Sequence, residues 1–217
     1  MTYIIAIDGP SGSGKSTISQ ILADKLKIEY LNTGLMYRAV TKYFLEKACN
    51  EESSDQVLKK LLEEITIDFK DNRLFLNKID VTDELRNDDV TANVSWVSAR
   101  TFVREKMVDL QRKIAEDTSF ILDGRDIGSV VFPDAKYKFY LTASALTRAK
   151  RRFDQGESDM NIEDIEKAII KRDNYDSNRK VAPLKVADGA IVIDSSDLSI
   201  DQTVEKILSY MEHTDVL

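Results

Sequence analysis

The sequence predicts an α/β fold: a doubly wound, five-stranded parallel sheet with a small antiparallel β insert and a short lid. Short apolar, β-branched segments alternate with amphipathic helical segments, which is typical of a parallel sheet with helices on both faces. One segment instead alternates apolar and polar residues, which is typical of antiparallel strand pairing.

Five apolar segments are the predicted strands of the sheet, at residues 3–7, 28–31, 119–122, 137–141 and 190–193. After the first strand, apolar residues recur at helical spacing from Lys15 onwards. The helix after the last strand opens with Ser199 and Gln202 at the spacing of a capping box. Ser53 and Gln56 have the same spacing before a predicted helix around residues 57–64.

Two segments interrupt this alternation. Residues 65–82 alternate apolar and polar side chains around Asp71-Asn72, which predicts an antiparallel hairpin. Residues 153–161 are polar and contain Gly156, which predicts a mobile lid. We therefore expect a single chain with a core at residues 1–62, 96–152 and 166–217, an insert at about 63–95 and a lid at about 153–165.

The composition excludes several kinds of partner. The 217 residues carry a formal net charge of −7, which argues against a nucleic-acid polymer as the main partner. Cys49 is the single cysteine, so the chain has no intrachain disulfide and no cysteine-based zinc site. The apolar start is too short for a signal-peptide core or a membrane span. We expect a cytoplasmic monomer without a membrane partner.

The segment GPSGSGKST at residues 9–17 fits the phosphate-binding pattern G-x-x-x-x-G-K-[ST]. Glycines let backbone N–H groups surround a phosphate, and the helix that follows adds the positive end of its dipole. The pattern assigns Lys15 to the β and γ phosphates and Ser16 to Mg²⁺. The loop predicts an ATP- or GTP-binding site made of Gly9, Pro10, Ser11, Gly12, Ser13, Gly14, Lys15, Ser16 and Thr17.

Asp123, at the end of the apolar segment SFILD, is the candidate second metal ligand. Phosphoryl transfer depends on positioning and on neutralising charge, so a carboxylate for the metal ion is one of the parts that the reaction needs. The alternative interpretation is an aspartate that only stabilises the turn after its strand.

Two uses of the phosphate-binding loop are possible, and the first is a GTP-dependent switch. The segment NKID at residues 77–80 fits the guanine-reading pattern N-K-x-D, but it lies in the predicted hairpin insert. The sequence also contains no D-x-x-G segment to contact a γ-phosphate. These two observations argue against the switch.

The second use is a kinase for a small phosphorylated molecule. Five arginines lie mostly near the ends of predicted elements: Arg38, Arg104, Arg125, Arg172 and Arg179. Several guanidinium groups together suit an acceptor that already carries a phosphate, although each alone could be a surface ion pair. Such an acceptor needs no general base, and the only histidine, His213, lies in the C-terminal tail.

Six segments, in this order and spacing, closely resemble the bacterial cytidylate kinases, the (d)CMP kinases of the nucleoside monophosphate kinase group of P-loop proteins. They are IDGPSGSGKST, LNTGLMYRA, VTANVSWVS, DGRDIGSVVFPDA, TRAKRR and RDNYDSNRKVAPL, and the resemblance covers essentially the whole chain. It implies transfer of the γ-phosphoryl of ATP, with Mg²⁺, to CMP or dCMP. The family also has a β insert in its nucleotide-monophosphate-binding part and a short lid.

The resemblance implies roles for individual residues. The CMP phosphate would contact Arg38, Arg125 and Arg179, with Thr33 and Tyr37 nearby. Cytosine would contact Ser95, Arg104 and Asp126. The sugar would contact Arg172 and Asp176. Arg148 and Arg152 would reach the ATP phosphates as the lid closes. Lys15, Asp123, Arg125 and Arg179 would form the catalytic set, with Ser16 and Asp123 at the metal.

Four residues depart from the pattern of this family. Asn32 stands where the family usually has aspartate, Tyr175 and Ser177 stand where some members have arginine, and Ser129 replaces the common threonine. A kinase for another nucleoside monophosphate, such as a UMP/CMP kinase, is the nearest alternative function.

Overall fold

The computed structural model describes residues 2–70, 73–156 and 160–215, with side chains to residue 212. Over these ranges the chain forms eight β-strands and eight α-helices. The strands are β1 (Ile4–Asp8), β2 (Glu29–Asn32), β3 (Ile67–Lys70), β4 (Arg73–Leu76), β5 (Ile79–Asp80), β6 (Phe120–Gly124), β7 (Tyr137–Thr142) and β8 (Ile191–Asp194). The helices are α1 (Lys15–Leu26), α2 (Thr33–Glu46), α3 (Asp55–Glu63), α4 (Asp88–Ala99), α5 (Thr101–Ile114), α6 (Ala145–Asp154), α7 (Ile162–Asn178) and α8 (Ile200–Asp215).

The predicted five-stranded parallel sheet is confirmed, with the strand order β2-β6-β1-β7-β8. The central strand β1 pairs in parallel with β6 and with β7, and β7 pairs in parallel with β8. In this register Ile7 lies opposite Asp123 and Asp8 lies opposite Gly124. The sheet therefore brings the residues that follow β1 and β6 to one edge, where the phosphate-binding loop begins.

Contacts between residues divide the chain into two compact units, residues 1–31 with 117–217 and residues 32–116. The first unit packs Ile5, Ile7 and Leu22 into a core that is closed to solvent and includes residues of α8. The second unit has buried side chains of its own, among them Phe44 and Met107. The predicted insert at about 63–95 lies within the second unit, and the predicted boundaries of insert and lid stay predictions.

The antiparallel hairpin is confirmed, and it carries a third strand that the sequence did not indicate. Strand β3 pairs with β4 and β4 pairs with β5, while the predicted turn residues Asp71 and Asn72 lie outside the described residues. Between β4 and β5, Asn77 and Lys78 have φ of 50° and 69°, the left-handed pair of a two-residue type I′ turn. The NKID segment is therefore a hairpin turn followed by the two residues of β5, which explains it without guanine binding.

Two helix starts test the predicted capping boxes. At α8 the Gln202 N–H donates to Ser199 Oγ at 3.1 Å and the Ser199 N–H donates to Gln202 Oε1 at 2.9 Å, so this box is confirmed. The box at Ser53 and Gln56 is wrong. Ser54 is the N-cap of α3, and its side chain accepts from the Val57 N–H. The helix begins at Asp55, two residues earlier than predicted.

Helix α6 ends at Asp154, followed by Gln155 and Gly156, and α7 begins after its N-cap Asn161. Residues 157–159 of the predicted lid lie outside the described residues. In the described part of the chain, no helix combines the length and apolar character needed to cross a membrane.

Candidate active site

The phosphate-binding loop joins β1 to α1 in a conformation that needs glycine. Gly9 has φ of 151°, and a Cβ atom there would lie 2.0 Å from the Leu141 carbonyl oxygen of β7. Gly14 is the N-cap of α1 with φ of 91°, and the first turn of α1 contains no acidic side chain. The helix therefore starts without a side-chain cap and without an acidic residue to offset its dipole, and both features favour a bound anion.

Lys15 lies inside this loop with 6% of its surface exposed. Its ammonium donates to the Pro10 carbonyl oxygen at 2.7 Å. Burial and, to a smaller extent, the nearby positive charge of Arg125 lower the pKa of Lys15 to about 7, against the opposing effect of Asp123. A bound anion beside the ammonium would therefore raise the pKa of Lys15 and favour its protonated form.

Ser16 and Asp123 meet as the candidate metal ligands. The Ser16 hydroxyl donates to Asp123 Oδ2 at 3.0 Å, and the Tyr30 hydroxyl donates to Asp123 Oδ1 at 2.9 Å. Burial raises the pKa of Asp123, while Lys15 and these two hydroxyls act in the opposite direction. One carboxylate and one hydroxyl are oxygen ligands that suit Mg²⁺, which takes most of its remaining ligands from phosphates and water. The described residues hold no group of three or more histidine, cysteine or acidic side chains that could bind a metal.

A second cluster of charges surrounds Asp176 on α7. The Arg125 Nε donates to Asp176 Oδ2 at 3.0 Å, and an Arg179 nitrogen lies 3.8 Å from Asp176 Oδ1. Burial raises the pKa of Asp176, but Arg125, Arg172 and Arg179 together outweigh burial and hold it below its usual value. Arg179 also lies 3.6 Å from Asp126 Oδ1 and donates to the Ala182 carbonyl oxygen. The structure therefore gathers five predicted acceptor-binding residues into one network.

Arg172 and Arg152 bring further positive charge to this cluster. Burial lowers the pKa of Arg172 to about 10, and the positive charges of Arg125 and Arg152 contribute. Among the described residues, neither the Arg172 Nε nor the Arg152 Nε has a hydrogen-bond partner, although both atoms are buried. Buried guanidinium donors of this kind are typical of a site for a phosphate group.

Arg148, predicted to bind ATP, contacts the backbone of the loop. Its guanidinium donates to the Ser11 and Ala143 carbonyl oxygens, each at 2.9 Å, and forms an ion pair with Asp173 at 2.6 Å. The Ser11 N–H in turn donates to Asp173 Oδ1 at 3.3 Å. In this structure Arg148 and Asp173 therefore hold the two polar backbone atoms of Ser11, a role that the sequence did not indicate.

Asp8, directly before the loop, holds a different segment. Its two carboxylate oxygens accept the Ile127 and Gly128 N–H groups, each at 2.8 Å. Burial raises the pKa of Asp8 to about 6 against the effect of these two hydrogen bonds. The aspartate thus connects the end of β1 to the segment that begins at Asp126.

In the second unit, Arg38 on α2 extends to α4 and to the segment before it. It donates to the Thr91 hydroxyl at 2.8 Å and to the Leu85 carbonyl oxygen at 2.9 Å. Thr91 and Ser95 are four residues apart on α4, so they share one face of that helix. Thr33, the first residue of α2, is 2% exposed. Arg38 and Ser95 therefore belong to the same region of this unit.

Tyr37 and Arg104 form the other predicted pair of this unit. The Arg104 guanidinium lies 5.2 Å from the centre of the Tyr37 ring, a cation–π distance, and donates to the Ser98 carbonyl oxygen at 3.1 Å. The Ser98 hydroxyl donates to the Ser95 carbonyl oxygen. A chain of contacts through α4 therefore links Arg104 to Ser95.

Asn32, the first departure from the family pattern, has a local role in this structure. It is the N-cap of α2, and its Oδ1 accepts from the Leu35 N–H at 3.2 Å. Asparagine and aspartate cap helices about equally well, so this role does not require the missing charge. Tyr175 is 38% exposed and Ser177 is exposed, while the Ser129 hydroxyl is buried without a hydrogen-bond partner in the described part of the chain.

Sequence reasoning missed Asp8, Asp173, Tyr30 and Thr91. Asp8 and Asp173 each lie beside a residue that was singled out, Gly9 and Arg172, and a polar residue at the carboxyl end of a buried strand was a usable signal for Asp8. No signal in the sequence pairs Tyr30 with Asp123, 93 residues away. The side chain of His213 lies outside the described residues.

Comparisons with known proteins identify the family of this chain. The family model for cytidylate kinase matches residues 5–213. The chain is 42% identical over 215 residues to a cytidylate kinase of Thermotoga neapolitana, which covers 98% of both chains. It is 47% identical over 212 residues to a cytidylate kinase of Clostridium botulinum (strain Loch Maree), which covers 96% of this chain and 97% of the relative.

The fold also resembles that of a shikimate kinase from Acinetobacter baumannii, with a TM-score of 0.52 and 12% identity over 100% of this chain and 97% of that chain. At this identity the likeness concerns the fold alone. The family of this chain is assigned instead from the family-model match and from the relatives that align over nearly its full length. This chain belongs to the cytidylate kinase family.

Proposed function

We propose that this protein transfers the γ-phosphoryl group of ATP to CMP or dCMP, giving ADP and CDP or dCDP. The observation that carries the proposal is the buried cluster of Arg125, Arg172 and Arg179 around Asp176, in addition to Lys15 of the loop. A protein that only binds a nucleoside triphosphate needs the loop, whereas a second set of guanidinium groups suits an acceptor that carries its own phosphate.

The chain's own residues supply the electrostatic part of this reaction. The buried Lys15 ammonium and the Arg125 guanidinium would stabilise the negative charge that spreads over the transferring group. A CMP phosphate is ionised at neutral pH, so its oxygen attacks without a general base. Exclusion of water by the lid would protect ATP from hydrolysis.

Ser16 and Asp123 would hold Mg²⁺, and their mutual contact at 3.0 Å supports this assignment. When bound, Mg²⁺ supplies positive charge beside the phosphates of ATP. Tyr30 would orient the Asp123 carboxylate through the hydrogen bond to its other oxygen. Arg152 would bind an ATP phosphate, and Arg148 would act by supporting Ser11 of the loop.

For the acceptor we propose that Asp126 accepts a hydrogen bond from the exocyclic amine of cytosine. Uracil lacks this amine and would place a carbonyl oxygen against the carboxylate, a repulsive contact that is a strong basis for discrimination. In the second unit, we assign Ser95 and Arg104 to cytosine, and the chain of contacts through α4 that links them supports this assignment. We assign Arg38, Thr33 and Tyr37 to the phosphate region. The monomeric state stays a prediction.

One assay tests the proposed function. ADP release is measured with CMP, dCMP, UMP, AMP and GMP as acceptors, and GTP binding is measured in parallel. We expect fast release with CMP and dCMP and much slower release with UMP, AMP and GMP. Equal rates with UMP would favour a UMP/CMP kinase, and tight GTP binding without acceptor-dependent release would contradict the kinase.

The first prediction concerns Asp126→Ala. The change removes the proposed acceptor for the cytosine amine, so kcat/KM for CMP should fall by a factor of about 100 or more and that for UMP far less. Steady-state kinetics on both acceptors measure the ratio, and Asp134→Ala, in the turn before β7, is the control. An equal loss on both acceptors would contradict the role of Asp126.

A further inference from the structure

We propose that Asp8 is a positioning residue for acceptor-base selection, because its carboxylate holds the backbone that directly follows Asp126. The proposal rests on the proposed function, since it takes Asp126 as the residue that contacts cytosine. Asp8 lies outside the phosphate-binding pattern, and the reaction described above gives it no part.

The geometry of Asp8 is that of a clamp on two successive peptide groups. Oδ1 accepts the Ile127 N–H and Oδ2 accepts the Gly128 N–H, both at 2.8 Å, and Asp8 is 2% exposed. Two short hydrogen bonds to one buried carboxylate fix both the position and the orientation of the segment that they hold. Strand β1 gives the clamp a rigid base, because it pairs with β6 on one side and β7 on the other.

The clamped segment is an unusual piece of backbone. Residues Ile127–Val131 form a π-helical turn, in which the Phe132 N–H donates to the Ile127 carbonyl oxygen at 2.8 Å. Such turns are rare and occur frequently at functional sites. The Asp126 Cα and the clamped Ile127 nitrogen belong to the same planar peptide unit, so a shift of that nitrogen moves the Asp126 carboxylate.

A neutral side chain could not make the same clamp. Asparagine has a single acceptor oxygen and would turn an NH₂ group toward the second N–H. The carboxylate carries an energetic cost, because burial, with a smaller contribution from the charge of Asp126, raises the pKa of Asp8 to about 6. Despite this cost of burial, both carboxylate oxygens of Asp8 accept hydrogen bonds from the two N–H groups that follow Asp126.

The test is a double-mutant cycle on acceptor discrimination. Asp8→Asn should lower the ratio of kcat/KM for CMP to that for UMP by about tenfold, as expected for a lost charged hydrogen bond that displaces Asp126. Because the charge of Asp8 also acts on Lys15 of the loop, both acceptors are compared at saturating ATP, where an effect on ATP binding cancels from the ratio. In the Asp126→Ala background, Asp8→Asn should leave the remaining ratio unchanged.

The controls separate a positioning role from a general loss of stability. Asp24→Asn makes the same change at an exposed carboxylate of α1, which accepts a hydrogen bond from Gln20, and should leave the ratio unchanged. Amide hydrogen exchange at Ile127 and Gly128 should speed up in Asp8→Asn and not in Asp24→Asn. If Asp8→Asn does not fold, Asp8→Ser, which also has one acceptor oxygen, replaces it with the same expectations.

An unchanged CMP-to-UMP ratio in Asp8→Asn, or equal effects with and without Asp126, would overturn the proposal. Failure of the proposed function has a different signature: the unmodified protein would release no ADP with CMP. Together these measurements distinguish a wrong role for Asp8 from a wrong reaction.

Discussion

The charge of Lys15 should depend on whether phosphate is bound. Its ammonium is buried and donates to the Pro10 carbonyl oxygen, and its pKa lies near 7, well below the ordinary 10.5. Burial disfavours the charged form, while an anion close to the ammonium favours it. We therefore expect nucleotide binding to be coupled to proton uptake at this residue.

The second prediction is that ATP binding takes up nearly one proton at about pH 8, where most Lys15 is neutral in the absence of ligand. Calorimetric titrations in buffers of different ionisation enthalpy measure the number of protons. Lys25→Met, at the exposed end of α1, should retain this uptake, whereas Lys15→Met should lose it. Binding without proton uptake in the unmodified protein would contradict the low pKa.

At the scale of elements, the turn between β1 and α1 depends on the space beside β7. Gly9 combines positive φ with the Leu141 carbonyl oxygen at 2.0 Å from any added Cβ. Gly156 also has positive φ, 66°, but a Cβ there meets nothing within 4 Å among the described residues. The two positions therefore separate the effect of a steric clash from that of backbone strain.

The third prediction compares Gly9→Ala with Gly156→Ala. The first change should destabilise the protein by more than about 4 kcal/mol, because the clash is with backbone that cannot move without disrupting the sheet. The second should cost about 1 kcal/mol from backbone strain alone. Thermal unfolding of the two variants measures the difference, and similar losses at both positions would contradict it.

Helix α8 offers a test of the capping box. Ser199 accepts from the Gln202 N–H, and Gln202 accepts from the Ser199 N–H in return. The Ser209 hydroxyl, in the interior of the same helix, only donates to the Lys206 carbonyl oxygen. A serine in a helix interior does not satisfy a terminal N–H group, so the two serines should differ in their contribution to stability.

The fourth prediction is that Ser199→Ala lowers the free energy of unfolding by about 1 kcal/mol. Ser209→Ala should be neutral or slightly stabilising, because alanine has the higher helix propensity. Urea unfolding of both variants measures this. A larger loss at Ser209 than at Ser199 would show that the box contributes little.

For the molecule as a whole, two buried charges give the stability of the ligand-free protein a defined pH dependence. The folded pKa of Asp8, about 6, lies above the 3.8 of an exposed aspartate. Its contribution to the stability of the fold is therefore fully present below pH 3.8 and is lost as the pH rises through 6. The folded pKa of Lys15, about 7, lies below 10.5, so its contribution is present above pH 10.5 and is lost as the pH falls through 7. Both groups therefore destabilise the fold most between pH 6 and 7.

The fifth prediction is that Lys15→Met raises the free energy of unfolding of the ligand-free protein by on the order of 3 kcal/mol at about pH 6.5. The gain should shrink as the pH rises and disappear only above pH 10.5, where Lys15 is neutral in both states. Chemical unfolding across this pH range measures the difference. A gain that does not change with pH would contradict the explanation from charge burial.

Much of the fold could be predicted, because its signals are local. The five parallel strands are confirmed to within two residues at each end, since buried strands are apolar and the helices between them are amphipathic. The capping box at Ser53 was wrong because Ser53 and Ser54 are both good caps, and the choice depends on where tertiary packing begins α3. Strand β5 was missed because two residues are too few for a recognisable period.

The sequence by itself determined the sheet, the phosphate-binding loop and the family, because spacing along the chain carries each of them. Only the tertiary structure decided which side chains meet: Tyr30 with Asp123, Asp173 with Ser11 and Arg148, and Asp8 with the N–H groups after Asp126. These partners are separated by 25 to 162 residues, so no local pattern records them. The register of neighbouring parallel strands and the packing of α6 and α7 create these contacts, and with them the charges and pKa values of the site.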